Sequence, residues 1–480
     1  MDKVYSECAI IVERALNRDD SIRSLVYRSK CKNKKMLLKL ACEICRRNVF
    51  LDKLVEETKM AQLPYLSNSA CPTGLAKIYL FEYLYGCNNL DNANYSSRKK
   101  VKLERKLGLA VTQKLSKLAI DLPTESTLIP KSVTCSTSSQ VFNGLLPRYA
   151  RVNLCCVTVT ELVHELVASG YIFKKTPTVH LSKGRHFRRL LDSLLDNEQC
   201  FILDPHFQDL LIFHPGASKQ LVSHPAVKKG HIILQDKSSC LAPFALNPPI
   251  GSTVLDTCAA PGIKASHISA LIGNCGTLLC IDKDSKRVET MCDLFSKFHV
   301  MNALVQTADI LEENLSECST YRHVTHALID VPCTGSGIAA RRLDHLIDSS
   351  DREPNIGTIG SVNECMDLHD IGDVLYSKRL KCLSNLQAMM LKRVLKQLPS
   401  LQRLVYSTCS VYESENEGVV FEALSDSEVS RRYRLAANPL PHWKHRGRNT
   451  LFDSGKCCIR SSSKKDCTNG FFVAVFERIV

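Results

Sequence analysis

The sequence predicts an α/β domain built on a parallel sheet, and three observations support this fold class. Short apolar runs recur between residues 254 and 330, separated by segments long enough to form helices. Four of these runs end on, or just before, an aspartate. The first run leads through a turn of small residues into an amphipathic segment, which gives the order strand, tight loop, helix. Alternation of this kind is typical of parallel sheets whose strands are connected by helices.

The length and composition indicate a multidomain chain with an anionic partner. Its 480 residues predict two to four domains, and 44% hydrophobic residues are enough for buried cores. The net charge of +14 favours a polyanion as partner. The N-terminal MDKVYSECAI has no secretory pattern and no apolar stretch is long enough to span a bilayer, so we expect no membrane association. We therefore expect the 23 cysteines to be free thiols in a reducing compartment.

Residues 1–122 are predicted to form a helical N-terminal domain, because apolar residues recur at helical spacing in segments 9–16, 37–44 and 75–85. Two basic clusters, at 28–35 and 96–106, are either solvated surface or, together with the net charge, a surface that follows a phosphate backbone. Cys42 and Cys45 form a CxxC inside a helical pattern without a second pair at suitable spacing. That context favours buried packing over zinc, and we expect no metal site.

The remaining chain is predicted to contain a linker and two further domains. Residues 123–146 are rich in Ser, Thr and Pro and are predicted to form the linker. Residues 147–222 are predicted to form a small basic α+β module, which we expect to bind a polyanion, and residues 223–480 a third domain, which the motifs below predict to be the catalytic domain. In the module we predict a strand at 152–157, a helix at 159–169 and short strands near Phe201 and Leu210. Segment 230–246 is predicted to be a strand that leads into a helix. The basic residues of the module are Arg148, Arg151, Lys183, Arg185, Arg188 and Arg189.

The loop that follows the first strand of the catalytic domain is the predicted centre of a ligand site. In VLDTCAAPGIK, residues 254–264, backbone N–H groups and a helix N-terminus face the strand end, which suits an anionic or zwitterionic cofactor. The acids at the four strand ends are Asp256, Asp282, Asp309 and Asp330. Each alone is best explained as a helix cap, but four at successive strand ends favour a shared ligand edge. Asp282, after the second strand, is placed to accept hydrogen bonds from ribose hydroxyls.

Two cysteines are predicted to reach the same edge. Cys333 lies in DVPCTGSG directly after the fourth strand, and Cys409 lies in STCSVYESENE after a fifth apolar run at 404–406. Most cysteines of a reduced protein are inert core residues, but two at the ends of strands that flank a cofactor loop favour nucleophilic chemistry. Lys264, at the start of the first helix, is a candidate source of positive charge for a thiolate.

This set of groups fits alkylation of carbon 5 of a pyrimidine. That carbon is a poor nucleophile until a thiolate has added at carbon 6, after which it can attack a methyl sulfonium. A base then removes the carbon 5 proton and the thiol leaves. Asp330 is placed to hold ring nitrogen 3 or the exocyclic amine, and a second thiol to assist elimination. No histidine stands in a motif at this edge, as a cysteine protease would require.

The motifs DTCAAPGIK, DVPCTGSG and YSTCSVYESENE, in this order, resemble those of the Sun-type RNA (cytosine-5) methyltransferases, which use S-adenosylmethionine. The resemblance covers roughly residues 147–478. It implies a Rossmann-like seven-stranded methyltransferase domain with GFFVAVFER, residues 470–478, as a late antiparallel strand. It implies Cys409 as the nucleophile and Cys333 as the thiol that assists product release. The cofactor-binding residues it implies are Cys258, Ala259, Ala260, Pro261, Gly262, Ile263, Lys264, Asp282, Asp309 and Asp330.

Within that family, LVYRSKCKNKK, PRYARVN and LQRLVYSTCS look closest to the eukaryotic subgroup that acts on large-subunit ribosomal RNA. This implies ribosomal RNA or a pre-ribosomal particle as partner and a nuclear, nucleolar location. Two alternatives remain open: a catalytically silent ribosome-assembly factor of the same fold, and a DNA cytosine-5 methyltransferase, which takes its nucleophile from the Pro-Cys after the fourth strand. Segment 343–376 is either a flexible loop near the RNA or an insertion without a role.

Overall fold

The computed structural model describes residues 2–16, 22–67, 69–83, 146–175, 187, 190–192, 194, 197–338 and 368–479. The chain divides into two compact units, Met1–Ser138 with Ala340–Lys378 and Ser139–Ala339 with Arg379–Val480. The predicted linker, except its last residue, and the basic cluster at 96–106 lie outside the described residues. No helix in the described part of the chain has the length and apolar character that a membrane crossing requires.

The described N-terminal residues are helical, as predicted. Apolar side chains of these helices form a core of their own, which includes Cys42 and Cys45. Both cysteines are buried in α3, as the helical pattern around the CxxC predicted. The side chain of Asn33 caps α3 by accepting a hydrogen bond from the N–H of Met36 at 3.0 Å. The helices are α1 (Asp2–Leu16), α2 (Ile22–Arg28), α3 (Lys34–Arg46), α4 (Asn48–Thr58), α5 (Pro64–Ser67) and α6 (Pro72–Phe81).

The second unit begins with a five-stranded sheet. Its strands are β1 (Arg148–Val152), β2 (Ile172–Phe173), β3 (Cys200–Leu203), β4 (Leu210–Phe213) and β5 (Ile232–Ile233), in the order β2-β3-β4-β1-β5. Helices α7 (Val159–Ala168), α8 (Ser218–Ser223) and α9 (Pro225–Lys228) belong to the same segment. Thr158 and Glu161 form a capping box at the start of α7. The short strands near Phe201 and Leu210 and the helix at 159–169 are confirmed, whereas the module limits at 147 and 222 remain predictions.

Two predictions in this segment were wrong. The strand expected at 152–157 lies at Arg148–Val152, because the side chain of Asn153 accepts the N–H of Cys155 at 3.2 Å and turns the chain there. Arg151, counted among the basic residues of the module, is fully buried and adds nothing to its surface charge. Its guanidinium donates to Gln235 Oε1 and Ser266 Oγ, both at 2.8 Å, so it is a structural residue.

The catalytic domain is built on a larger, mainly parallel sheet. The strands are β6 (Thr253–Asp256), β7 (Thr277–Asp282), β8 (Ala303–Thr307), β9 (His326–Asp330), β10 (Arg403–Thr408), β11 (Tyr433–Leu435), β12 (Ile459–Ser461) and β13 (Phe471–Arg478). Seven of them follow the order β11-β13-β10-β9-β6-β7-β8, and β12 pairs with β13. The helices are α10 (Lys237–Leu246), α11 (Ile263–Leu271), α12 (Ser285–Lys297), α13 (Leu368–Gln397), α14 (Glu417–Leu424), α15 (Ser427–Arg432) and α16 (Ser463–Asp466).

The strand directions bring the predicted site residues to one edge. β6, β7, β8, β9 and β10 are parallel to one another, so their carboxyl ends meet at the same side of the sheet. β13 runs antiparallel to β10, with Phe472 opposite Thr408, so its first residues lie at that side too. The Rossmann-like fold and the late antiparallel strand are thereby confirmed. Of segment 343–376, residues 343–367 lie outside the described part, and 368–376 begin α13.

Candidate active site

The centre of the candidate site is a pair of thiols. Cys333 follows β9 and Cys409 follows β10, and because these strands are parallel neighbours, their ends carry the two side chains to the same point. The Sγ atoms lie 3.1 Å apart, and neither cysteine is in a disulfide. The loops are locked together by their backbones, since Gly337 N–H donates to the carbonyl of Cys409 at 2.8 Å. A Cβ on Gly337 would lie 2.8 Å from that oxygen, so the approach requires glycine.

The surroundings of Cys333 keep its thiol protonated. The hydrogen bond with Cys409 contributes most to the raised pKa of Cys333, followed by burial, the charge of Cys409 and the charge of Glu415. A thiol that is held in the neutral form next to a second sulfur can donate a hydrogen bond to that sulfur.

A buried carboxylate joins the loops of the two thiols. Glu415 is fully buried and accepts from the N–H of Thr334 at 3.0 Å and from its hydroxyl at 2.6 Å. Gln387, in α13, donates to Glu415 at 3.0 Å and to the carbonyl of Pro332 at 3.0 Å. Tyr406 donates to the carbonyl of Glu415 at 2.6 Å. The residues on both sides of Cys333 are thus fixed to the chain that follows Cys409.

The sequence reasoning did not single out Glu415 or Gln387. Glu415 lies within the motif STCSVYESENE, six residues after Cys409, so the sequence could have marked it as a candidate site residue. Gln387 lies inside a long helix, where a glutamine is usually exposed, and nothing in the sequence marks it as buried. Its full burial became visible only in the structure.

Lys264 and Asp330 form an ion pair beside the thiols. Lys264 Nζ lies 2.7 Å from Asp330 Oδ2, and the other carboxylate oxygen accepts from Ser407 Oγ at 2.8 Å. The ammonium also lies 5.2 Å from the ring centroid of Phe471, at the start of β13. Burial lowers the pKa of Lys264, but the ion pair with Asp330 and the charge of Cys409 outweigh it and raise that pKa overall. Lys264 therefore stays charged within electrostatic range of Cys409.

The loop after β6 turns sharply into α11. Thr257 N–H donates to Leu328 O and Ala259 N–H to Ile281 O, which ties the loop to both neighbouring strands. Ala259 and Ala260 are buried, Pro261 is exposed, and Gly262 is the N-cap of α11 with φ at 96°. Ile263 and Lys264 form the first turn of that helix. The predicted order of strand, tight loop and helix is confirmed, and the helix N-terminus faces the sheet edge.

Asp282, at the end of β7, is bound to this loop. Its Oδ2 accepts from the N–H of Ala260 at 3.2 Å, and Arg287 lies 3.2 Å from the same oxygen. Arg287 also donates to the carbonyl of Ala260. Asp309 follows β8, and Ala308 N–H donates to Asp282 O at 3.1 Å, so these acids lie at the same edge. The Asp309 carboxylate accepts from Leu311 N–H at 3.0 Å, within its own turn.

Negative charge accumulates beneath the loop. Burial raises the pKa of Asp256 to about 7, and the charges of Asp330 and Asp282 add to the effect against the opposing ammonium of Lys264. Burial and the charges of Asp256 and Asp330 also raise the pKa of the Cys258 thiol. A buried carboxyl whose pKa is raised by neighbouring carboxylates leaves room for an added positive charge. The site is therefore suited to a cationic ligand group.

Comparison with known proteins places the chain among RNA-modifying enzymes. Residues 243–359 match the family model for the 16S rRNA methyltransferase RsmB/F, and residues 146–235 match the ferredoxin-like domain of NOL1/NOP2/Sun domain family member 5. The 26S rRNA (cytosine-C(5))-methyltransferase nsun-5 of Caenorhabditis elegans is 34% identical over 100% of this chain and 98% of that protein. A 28S rRNA (cytosine-C(5))-methyltransferase of Mus musculus is 32% identical over 99% of this chain and 91% of that protein.

A solved structure supports the fold. The crystal structure of PH0851 superposes with a TM-score of 0.56 at 18% identity, covering 99% of this chain and 98% of that one. At this identity the likeness shows the fold alone. The fold of this chain is thus one already known from a crystal structure. The relatives that match it over its whole length are named as cytosine-modifying enzymes.

Proposed function

Because the chain belongs to the NSUN5 group of the NOL1/NOP2/Sun family of RNA (cytosine-5) methyltransferases, we propose that it forms 5-methylcytosine in large-subunit ribosomal RNA. Its methyl donor is S-adenosylmethionine. The observation that carries the mechanism is the 3.1 Å separation of Cys333 Sγ and Cys409 Sγ beside the Lys264 ion pair. Two sulfurs at one sheet edge provide one group that adds to the base and a second that assists when the bond to the base breaks.

The residues at the sheet edge fit the cofactor. Three carboxyls, those of Asp256, Asp282 and Asp330, lie beside two cations, Lys264 and Arg287. The raised pKa of Asp256 indicates that room for positive charge remains, and S-adenosylmethionine carries positive charge on its sulfonium and amino groups. When bound, the cofactor supplies an electrophilic methyl carbon. The residues that hold it are the loop Cys258, Ala259, Ala260, Pro261, Gly262, Ile263 and Lys264 together with Asp282, Asp309 and Asp330.

The first covalent step belongs to Cys409. Its thiolate forms a bond to carbon 6 of the cytosine, and the electron pair of the carbon 5–carbon 6 double bond moves towards carbon 5. Asp330 holds the exocyclic amine as a carboxylate, or ring nitrogen 3 once its carboxyl carries a proton, and so orients the ring for the attack. Lys264 is the counter-ion for the thiolate before addition, since its ammonium interacts with both Asp330 and Cys409. Carbon 5 then has the electron density needed to accept a methyl group.

The second step restores the ring and involves Cys333. A base removes the proton from carbon 5, the electron pair re-forms the double bond, and the bond between Cys409 sulfur and carbon 6 breaks. Cys409 leaves as a thiolate, and the neutral thiol of Cys333 beside it stabilises that charge through their hydrogen bond. Cys333 therefore acts in product release and Cys409 in attack.

Several features support RNA as the substrate and the nucleolus as the location. The net charge of +14 suits a polyanion, and the matched relatives act on 26S and 28S ribosomal RNA. In this proposal the small α+β module and the basic residues at 28–35 contact RNA, within a pre-ribosomal particle. A fluorescently tagged chain is then expected to accumulate in the nucleolus, and exclusion from the nucleus would contradict that part of the proposal.

The mechanism is tested with RNA that contains 5-azacytidine, which has no carbon 5 proton to remove and so traps the covalent adduct. The full-length protein, Cys409→Ala and Cys333→Ala are each incubated with large-subunit ribosomal RNA fragments and resolved on a denaturing gel. We expect adducts for wild type and Cys333→Ala and none for Cys409→Ala. An adduct with Cys409→Ala but not with Cys333→Ala reverses the assignment. Absence of methyl transfer to every large-subunit fragment would favour a silent assembly factor.

A further inference from the structure

A second site lies in the same unit as the thiols and is used by no step above. It is a cavity of about 370 Å³, which we call the Trp443 cavity. Sites for small organic ligands begin at about this size. It is lined mainly by cationic and aromatic side chains, among them His206, Lys237, Trp443, Lys444, His445 and Lys465.

The floor of the Trp443 cavity is rigid and aromatic. Lys237 is fully buried, pairs with Asp204 at 2.6 Å, and lies 4.1 Å from the ring centroid of Phe187. Trp443 is fixed by a hydrogen bond from Nε1 to the carbonyl of Arg460 at 2.8 Å, and the His206 ring lies 5.6 Å from it. Because Asp204 balances the charge of Lys237, the floor is aromatic with little net charge, and the rings of Trp443 and Phe187 are largely buried beneath the opening.

The rim of the cavity is positive. Lys444 and Lys465 line it and are exposed, and Arg446 contributes a further guanidinium. The acid of the lining, Asp466, is already bound to His445 Nδ1 at 2.7 Å. Positive groups at an opening above aromatic rings suit a ligand that has both an anionic group and a planar group. A nucleotide has both, as phosphate and base.

The Trp443 cavity lies at the same sheet edge as the thiols. Lys465 and Asp466 immediately precede the turn into β13, whose first residue, Phe471, contacts the ammonium of Lys264. The path of five residues from Asp466 to Phe471 spans at most about 18 Å even if fully extended. Gly470, within it, donates to the carbonyl of Gly337 at 2.8 Å, which belongs to the loop of Cys333. The cavity is therefore within reach of a nucleotide a few positions from a base that lies at the thiols.

We propose that the Trp443 cavity binds one nucleotide of the RNA strand that flanks the target cytosine. The base packs against the rings of the floor and the phosphate lies between Lys444 and Lys465. This inference rests on the proposed function, because it needs an RNA strand at the thiols. It assigns the cavity to single-stranded RNA, since a base that is splayed out of a helix can enter a pocket and a paired one cannot.

Binding measurements test the rim. Full-length protein and the double variant Lys444→Ala/Lys465→Ala are titrated against a fluorescein-labelled 12-nucleotide single-stranded RNA by anisotropy. Loss of two phosphate contacts is expected to weaken binding about tenfold at 0.2 M salt and about seventyfold at 0.05 M, with a salt slope lower by about 1.4. The matched control, Arg322→Ala/Arg431→Ala, removes the same charge from two exposed residues outside both the cavity and the α+β module. Equal effects of both double variants would overturn the proposal.

Cross-linking tests the floor and separates this inference from the proposed function. RNA with 4-thiouridine next to 5-azacytidine is irradiated with wild-type protein, and the labelled peptide is identified by mass spectrometry. We expect cross-links to residues 442–446 for at least one of the flanking positions. A normal covalent adduct with all cross-links outside the cavity would overturn the inference while the proposed function stands. If no adduct forms, the proposed function fails, and the anisotropy experiment alone still decides whether the cavity binds RNA.

Discussion

Glu415 accepts two hydrogen bonds from Thr334, one from the N–H at 3.0 Å and one from the hydroxyl at 2.6 Å. Thr334 follows Cys333 directly, and Glu415 lies six residues after Cys409, so this contact sets the distance between the loops of the two thiols. Glu415 is fully buried, and its charge also contributes to the raised pKa of Cys333. It is a positioning residue for both cysteines, and its removal has a mechanical and an electrostatic effect.

Glu415→Gln is expected to lower methyl transfer by about a hundredfold, because a displacement of one ångström at a reacting group costs about that much. It is also expected to lower the pKa of Cys333, since a negative charge beside the thiol is lost. In a Cys409→Ala background, alkylation of Cys333 by iodoacetamide at pH 8 is then faster, by about tenfold for each pKa unit. Mass spectrometry of the Cys333 peptide gives the rate.

Glu413→Gln is the matched control for this prediction. Glu413 lies in the same short helical turn but binds Arg448 and Thr450 at the surface instead of the thiol loops. Its substitution is expected to leave the methylation rate within about twofold of wild type and, in the Cys409→Ala background, Cys333 alkylation within about twofold of Cys409→Ala alone. Slower alkylation of Cys333 in Cys409→Ala/Glu415→Gln than in Cys409→Ala alone would contradict the electrostatic role.

The local parts of the site could be predicted from the sequence. The acids at the ends of β6, β7 and β9 follow apolar runs directly, and parallel strands bring such ends together without further information. The same logic placed Cys333 and Cys409 at one edge, and the small-residue turn predicted the loop before α11. In each case a short pattern and a rule of sheet topology were sufficient.

The long-range parts could not be predicted. Glu415 meets Thr334 across 81 residues and Gln387 meets Glu415 across 28, and neither contact leaves a periodic trace in the sequence. Arg151 was counted as surface charge because arginine is usually exposed, yet Gln235 and Ser266 supply buried partners from distant elements. Such pairings depend on packing between elements, and packing is not encoded by spacing.

The ion pair of Lys264 and Asp330 predicts non-additive losses. Lys264→Met and Asp330→Asn are each expected to reduce the single-turnover methylation rate by about a hundredfold, as when a group that stabilises a developing charge is removed. The double variant is expected to be no worse than the slower single variant, because either change already breaks the 2.7 Å contact. Losses that multiply in the double variant would mean that the two residues act independently.

The raised pKa of Asp256 predicts that cofactor affinity depends on pH. Near pH 7 this carboxyl is partly protonated, because burial and the charges of Asp330 and Asp282 raise its pKa to about 7. The ionised form attracts the sulfonium, so the affinity for S-adenosylmethionine is expected to rise from pH 6 to pH 8. This affinity is expected to rise by up to about tenfold for each unit by which the bound sulfonium lowers the pKa of Asp256. Titration calorimetry at the two pH values measures it.

Two comparisons isolate Asp256. S-adenosylhomocysteine has no sulfonium charge, so its affinity is expected to change less over the same range, and Asp256→Asn is expected to remove the difference between the two ligands. The free energy of unfolding also depends on the protonation of Asp256. Its folded pKa lies above the unfolded value of about 3.9, so its contribution is greatest below that value and is lost as the pH rises towards 7. If the ratio of the affinities for S-adenosylmethionine and S-adenosylhomocysteine did not change with pH in the wild-type protein, Asp256 would not be the group that attracts the sulfonium.

Gly262 is expected to be indispensable for the cofactor loop for two separate reasons. Its φ of 96° is left-handed, which costs a residue with a side chain about 1–2 kcal/mol, and a Cβ there would lie 2.8 Å from Phe295 Cε1 and 2.9 Å from Met291 Cγ in α12. Gly251 shares the left-handed backbone, with φ at 79°, but a Cβ there meets nothing within 4 Å.

This difference makes Gly251→Ala the control for backbone strain alone. It is expected to lower the free energy of unfolding by about 1–2 kcal/mol and to leave cofactor affinity unchanged. Gly262→Ala is expected to add about 1–3 kcal/mol of overpacking and to weaken cofactor binding by more than about tenfold, because the loop must move away from α12. Denaturant unfolding and calorimetry of both variants separate strain from displacement, and equal cofactor affinities in the two variants would show that the loop does not need this approach.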